Sequence, residues 1–210
     1  MSKKAAIEGV YAVTPDCADS EDLLRRLSAA IAGGVRLVQY RNKTATPELR
    51  SEQAARVLRL CRPAAVSLII NDSVELACEL DADGVHLGAG DFTPEAARAT
   101  LGTRKLIGVS CYNQLERALA ANDQGADYVA FGSFFSSATK PGAVRAEPAL
   151  LTAAKRALHM PVVAIGGITA ANAGVLVKAG ADAVAVVHSL FGAADIELAA
   201  RHLGALFAPS

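Results

Sequence analysis

The sequence has no excess of either charge: Lys+Arg and Asp+Glu number 21 each in 210 residues. That balance removes the global field with which a protein gathers nucleic acid or an anionic membrane, so any anion site must be local. A membrane-spanning apolar run is also missing, and Met1-Ser2-Lys3-Lys4-Ala5-Ala6 passes into Ile7-Glu8-Gly9 rather than into a signal-peptide apolar stretch. The expectation is a soluble, cytoplasmic protein. Cysteine is scarce, and Cys17, Cys61, Cys78 and Cys111 lie far apart with no C-x-x-C pair. This spacing fits buried, reduced thiols better than a disulfide frame or a zinc site. Charged residues make up only 20% against 52% hydrophobic, which excludes a disordered chain. At this length the chain buries a full core, and one domain over 1–210 is expected.

No glycine-rich dinucleotide fingerprint follows the first apolar run, which argues against a doubly wound open sheet. What is present is alternation of short apolar runs with segments of helical periodicity. Strands are read near Val10–Val13, Val35–Tyr40, Ser67–Asn71, Gly84–Leu87, Leu106–Ser110, Tyr128–Gly132, Val162–Ile165 and Ala183–Val187. Helices are read at Glu21–Ala32, Glu48–Cys61, Val74–Leu80, Pro94–Leu101, Gln114–Gln124, Pro148–Leu158, Ala171–Ala179 and Ile196–Phe207. Ser20, Thr46-Pro47-Glu48 and Thr93-Pro94-Glu95 read as helix starts. Gly125 and Gly180 read as helix ends. The Ala-Asp pairs Ala82-Asp83, Ala126-Asp127 and Ala181-Asp182 precede three strands, the echo of one reused unit. The strands lack strict polar alternation, as expected when protein covers both faces. Eight such units predict an α/β chain closed into a single (β/α)8 TIM barrel, over about residues 9–207, with its site at the carboxyl ends of the strands.

The polar residues fall where that fold would gather them. Leu37-Val38 runs into Gln39-Tyr40-Arg41-Asn42-Lys43, Leu68-Ile69-Ile70 into Asn71-Asp72, and Leu106-Ile107-Gly108-Val109 into Ser110. On an extended segment Gln39, Arg41 and Lys43 share a face, and two cations with an amide suit a polyanion. Asn71-Asp72 and Asp91 follow adjacent strands. The carboxylate pair resembles a magnesium site, while for Asp72 alone a helix cap stays open. Phe134 to Ala143, containing Thr139-Lys140, reads as a binding loop in which Lys140 folds over an anion. Gly166-Gly167-Ile168-Thr169 offers backbone N–H groups beside a helix start, a phosphate cradle. His86 reads as a ligand neighbour or a satisfied core histidine, His188 as a phosphate contact, and His159 and His202 as surface residues.

Together Gln39 to Lys43, Ile70-Asn71-Asp72, Gly84-Val85-His86-Leu87-Gly88, Ile107-Gly108-Val109-Ser110, Thr139-Lys140 and Ala164 to Thr169 resemble thiamine phosphate synthases, from about Tyr11 to Phe191. The resemblance implies that a hydroxymethylpyrimidine diphosphate is held by Gln39, Tyr40, Arg41, Asn42, Lys43, Asn71, Ser110 and Lys140. It implies magnesium on Asp72 and Asp91. It further implies a thiazole phosphate, plain or carboxylated, against Ser137, Ala138, Thr139, Gly167, Val187 and His188. Departing diphosphate would leave a pyrimidine carbocation that the thiazole nitrogen captures. Arg41, Lys43 and Lys140 would then serve the leaving group, while Gln39 and Ser110 orient the pyrimidine.

Two positions depart from the family pattern: Ser136-Ser137 stands where Pro-Thr is usual, and His188 stands where a serine usually ends the last strand. Ser137 keeps a hydroxyl, and at His188 the backbone N–H contact survives. A related thiazole tautomerase would have no use for Arg41, Lys43, Asp72, Asp91 and Lys140, and a barrel isomerase should carry early-strand carboxylates where Gln39 and cations stand. A non-catalytic thiazole phosphate sensor is separated from the synthase by one turnover assay. Ala-rich helix surfaces permit a homo-oligomer without demanding one.

Overall fold

The computed structural model describes residues 7–88, 90, 92–136 and 144–208. Strands β1 (Gly9–Val13), β2 (Leu37–Tyr40), β3 (Ser67–Asn71), β4 (Gly84–Leu87), β5 (Leu106–Tyr112), β6 (Tyr128–Phe131), β7 (Val162–Ile165) and β8 (Ala183–Val186) are all parallel and close in sequence order, β8 pairing with β1. Between them run α1 (Ser20–Ala32), α2 (Pro47–Cys61), α3 (Val74–Glu79), α4 (Pro94–Leu101), α5 (Leu115–Asp123), α6 (Pro148–Ala157) and α7 (Ala173–Lys178). A four-residue α8 (His188–Phe191) and then α9 (Ile196–Gly204) follow β8. This is the expected (β/α)8 barrel. The short α8 was not expected, since one turn is too brief to show a period.

The strands are buried on both faces because alternate residues serve two cores. Tyr11, Val13, Leu37, Ile69, Leu106, Tyr128, Ala130, Val163, Ala183 and Ala185 fill the barrel, while their neighbours Val10, Ala12, Val38, Ile70, Val129 and Phe131 pack against the helices. Gly108 makes the filling possible: a Cβ there would lie 2.0 Å from the Tyr128 ring. Thr46 and Thr93 cap α2 and α4 as expected, accepting from Leu49 N and Ala96 N. At α1 the cap is Asp19, which accepts from the backbone N–H groups of Glu21 and Asp22, and Ser20 is already helical. Gly125 and Gly180 follow α5 and α7 with φ of +82° and +109°, the left-handed turn a helix end favours.

The Ala-Asp echo has a structural cause. Asp83 accepts from Leu68 N, Asp127 from Ile107 N and Asp182 from Val162 N, so each carboxylate clips the first turn of the strand before its own. Arg98 and Lys155 reach from the helices to Asp127 and Asp182, which balances two of the three charges. These clips close the amino-terminal end of the barrel and leave the opposite end to the loops that carry chemistry.

Candidate active site at the barrel mouth

The run from Gln39 to Lys43 divides between two sides. Gln39 points into the barrel, where its Nε2 donates to the Tyr11 hydroxyl at 2.9 Å. Tyr40 turns outward, donates to Gln53 Oε1 at 3.0 Å and is buried against α2. Burial pushes its hydroxyl pKa up to about 12, so it stays neutral. Asn42 turns the same way, with Nδ2 on Cys17 O at 2.7 Å and on Gln53 Oε1 at 2.9 Å. The alternation expected for Gln39, Arg41 and Lys43 is therefore observed in direction, although β2 ends at Tyr40 and the cations stand on the loop beyond it. The same alternation places the nearly fully buried Tyr40 and Asn42 side chains in the packing behind the mouth.

Two β1-exit residues shape that loop. The buried Thr14 Oγ1 donates to Arg41 O and accepts from Arg41 N, both at 2.8 Å. Asp16 Oδ1 accepts from Lys43 N at 2.7 Å and from the Arg41 guanidinium at 3.2 Å. Reading the sequence missed Asp16, although it follows an apolar strand as the other candidates do. Val13-Thr14-Pro15-Asp16 carried the signal.

Asp72 and Lys43 meet across the mouth, Nζ to Oδ2 at 3.2 Å. The helix-cap alternative for Asp72 is removed, because Ser73 caps α3 by accepting from Leu76 N. Asp72 instead sits at φ +63°, a left-handed conformation that Asp tolerates, with its carboxylate on the Lys43 amine. Asn71 ends β3 beside it, half-buried. Asp91, Ser137, Ala138, Thr139 and Lys140 lie outside the described residues.

Ser110 stands at a bulge in β5, and its Oγ lies 2.9 Å from His86 Nε2. His86 is a satisfied core histidine: its Nδ1 lies 3.1 Å from the Tyr128 hydroxyl, which in turn is 2.8 Å from that of Tyr11. Burial raises the pKa of both tyrosines and keeps them neutral. Sequence reading singled out neither tyrosine, since a strand tyrosine usually signals packing alone.

Gly166 and Gly167 hold φ of +104° and +63°, and both are demanded by close approach. A Cβ would come within 2.0 Å of Ser133 Oγ at the first and 2.3 Å of Ser136 O at the second. The pair thus lets the loop after β6 pack on the loop after β7, with Phe135 N donating to Gly166 O. Thr169 N is taken by Asn172 Oδ1, and Asn172 Nδ2 donates to Gly167 O, so part of the expected N–H cradle is spent on holding its own turn. Val187 immediately precedes α8, which is fastened from α1 by Arg26 donating to Phe191 O at 2.7 Å. The exposed His188 folds its ring back over Gly192, where an added Cβ would meet Cε1 at 3.0 Å.

The mouth therefore carries cations on one exit, a carboxylate on the next and a polar chain rising from the interior. Such a site takes an anionic ligand at its rim and a hydrogen-bonding one at its centre. A family model for thiamine monophosphate synthase matches residues 10–190. The chain is 53% identical to the thiamine-phosphate synthase of Thiobacillus denitrificans over 95% of both chains. It is 54% identical to that of Azoarcus sp. over 96% of this chain and 98% of the relative. Among solved structures, thiamine phosphate pyrophosphorylase from Pyrococcus furiosus superposes with a TM-score of 0.85 at 31% identity, covering 98% of this chain and 96% of that one. On that evidence the chain belongs to the thiamine monophosphate synthase family and is a transferase.

Proposed function

We propose that this enzyme joins a hydroxymethylpyrimidine diphosphate to a thiazole phosphate, releasing diphosphate and forming thiamine phosphate. The observation that carries the reading is the ion pair of Lys43 and Asp72 beside Arg41 at adjacent strand exits. A diphosphate needs cations, and a carboxylate placed among them suits a divalent metal that the diphosphate shares.

The bond from the pyrimidine methylene carbon to the diphosphate oxygen breaks with its electron pair on oxygen. The thiazole nitrogen lone pair then forms the new C–N bond. Negative charge grows on the departing oxygen, so Arg41 and Lys43 act there, with Lys140 as a third cation from the loop after β6. Ser110 and Gln39 orient the ring, and Asn71 adds a polar contact beside Asp72. The thiazole phosphate lies against Ser137, Ala138, Thr139, Gly167, Val187 and His188, with backbone N–H groups as the main donors at the last two.

Asp72 fits a hard cation: it is an oxygen donor, half exposed at the mouth and not used as a cap. With Asp91 it would hold Mg2+, which supplies charge neutralisation to the diphosphate when bound.

The test mixes the purified protein with both substrates and Mg2+, and follows thiamine phosphate by oxidation to a fluorescent product, with a chelator arm. Chelator-sensitive product is expected. No product alongside intact thiazole phosphate binding would replace the synthase reading with a tautomerase or sensor. Product formation indifferent to chelator would remove the metal from it.

A further inference from the structure

Five side chains from five strands form one continuous hydrogen-bond chain through the barrel interior. It runs from Gln39 on β2 to Tyr11 on β1, Tyr128 on β6, His86 on β4 and Ser110 on β5, with steps of 2.9, 2.8, 3.1 and 2.9 Å. Tyr11 and Tyr128 are fully buried, and Gln39 and His86 nearly so. Only the two ends, Gln39 and Ser110, belong to the set assigned to the pyrimidine.

Two orders of donation can run along it. The Gln39 amide nitrogen donates to the Tyr11 oxygen, and in the first order Tyr11 sends its own proton to Tyr128. Tyr128 then donates to His86 Nδ1. A ring nitrogen that accepts carries no proton, so the neutral imidazole keeps its hydrogen on Nε2 and donates it to Ser110 Oγ. The Ser110 proton is left for a ligand acceptor, and Gln39 Oε1 is left for a ligand donor. Run backwards, with the amide turned over, the same chain would leave Gln39 two donors and Ser110 only an acceptor. The two orders present opposite faces to a ligand.

We propose that Tyr11, Tyr128 and His86 are positioning residues that fix the hydrogen-bond polarity of the pyrimidine site, so that Ser110 donates and Gln39 accepts. This face fits a heterocycle with an unprotonated ring nitrogen and an amino group, an aminopyrimidine, and it rests on the function proposed above for the ligand's identity. The low-dielectric interior strengthens each step and makes a reversed link costly. Because the links span five strands, the polarity is a property of the closed barrel.

The first measurement is the histidine side-chain nitrogen spectrum of the 15N-labelled protein at neutral pH, with the His86 signals assigned by their loss in His86→Gln. The expected result is a single neutral tautomer protonated on Nε2. A proton on Nδ1, or an imidazolium, would overturn the proposal. The second is Tyr128→Phe, in which His86 should lose its single tautomer. There the KM for the pyrimidine diphosphate should rise about tenfold, the value of one hydrogen bond, while that for thiazole phosphate stays within about twofold. Equal change in both constants, or in neither, would sink the positioning role. If Tyr128→Phe does not fold, Tyr11→Phe carries the same expectation for KM, and the wild-type spectrum stands alone. A wild-type enzyme without turnover but with the Nε2 tautomer would refute the synthase reading and leave the polarity of the chain standing.

Discussion

The two ends of this barrel use aspartate in opposite ways. At the amino-terminal end Asp83, Asp127 and Asp182 each accept a backbone N–H from a neighbouring strand, and helix cations cover two of them. At the carboxyl end Asp72 leaves the cap of the helix it precedes to Ser73, sits at φ +63° and, among the described residues, pairs with the flexible Lys43 amine. The residue type is the same and the satisfaction differs. A carboxylate held by fixed partners stabilises a fold, whereas one held by a movable partner can exchange that partner for a ligand. Asp16 lies between these cases, since it pins a loop through Lys43 N and also steadies the Arg41 guanidinium.

The sharpest way to break the comparison is to remove charge at the mouth. Lys43→Ala is expected to lower kcat/KM by about 10²–10³-fold, the cost of deleting one group aimed at developing charge. Its melting temperature should stay within about 4 °C of wild type, because an exposed pair contributes at most ~1 kcal/mol. A turnover assay beside a thermal melt decides this, and a large drop in melting temperature would place Lys43 among the structural cations. Asp72→Asn should follow the same pattern, with activity falling and stability held, since Asn also tolerates the left-handed backbone.

At the other end the pattern should invert. Asp182→Ala removes the acceptor of Val162 N and strands Lys155, a loss of about 2–3 kcal/mol. For a chain of this size that lowers the melting temperature by roughly 5–10 °C. Steady-state constants measured well below the transition should stay within about twofold of wild type, since a clip at the far end touches no reacting group. Substantial loss of activity at unchanged stability would erase the distinction between the ends.

A smaller effect comes from pH. Burial pushes the Cys61 and Cys111 thiols and the Tyr40 hydroxyl up to about 12, and raises Tyr11 and Tyr128 as well. These groups ionise at lower pH in the unfolded chain, near ~8.5 for thiols and ~10 for tyrosines. Their contribution is therefore complete below those values and is lost as pH rises toward 12. Urea midpoints should begin to fall above about pH 8.5 and fall more steeply above about 10. A flat profile to pH 11 would mean that the two cores open enough to ionise in the native state.

The smallest effect sharpens the reading of Asp72. Ser73→Ala should cost about 1 kcal/mol, the usual value of a lost cap. Activity should be kept, because Asp72 is not the cap. If the variant lost neither stability nor activity, Asp72 would be serving as the substitute cap.

Much of this was legible along the chain. The eight strand and helix pairs were, because burial on both faces leaves apolar runs that helical periodicity interrupts. The β2 boundary was less so: Val35 and Arg36 are apolar or extended enough to read as strand, yet pairing begins at Leu37. Among the site residues, Gln39, Arg41, Lys43, Asn71, Asp72 and Ser110 follow the rule that chemistry sits at strand exits. Asp16 obeys that rule too, but a turn aspartate after proline also has an ordinary local explanation, so its position alone does not mark it.

The sequence by itself determined the alternation, the register of the strand exits and the charges standing at them, since these depend on spacing along one chain. It also marked the Ala-Asp pairs as a repeated unit without revealing their task. Only the tertiary structure decided which aspartates clip strands and which faces Lys43, and that Tyr40 and Asn42 turn to Gln53. The same holds for the line from Gln39 through Tyr11, Tyr128 and His86 to Ser110. Those relations join residues as far as 117 positions apart, and closing the barrel is what brings their short-range hydrogen-bonding groups into contact.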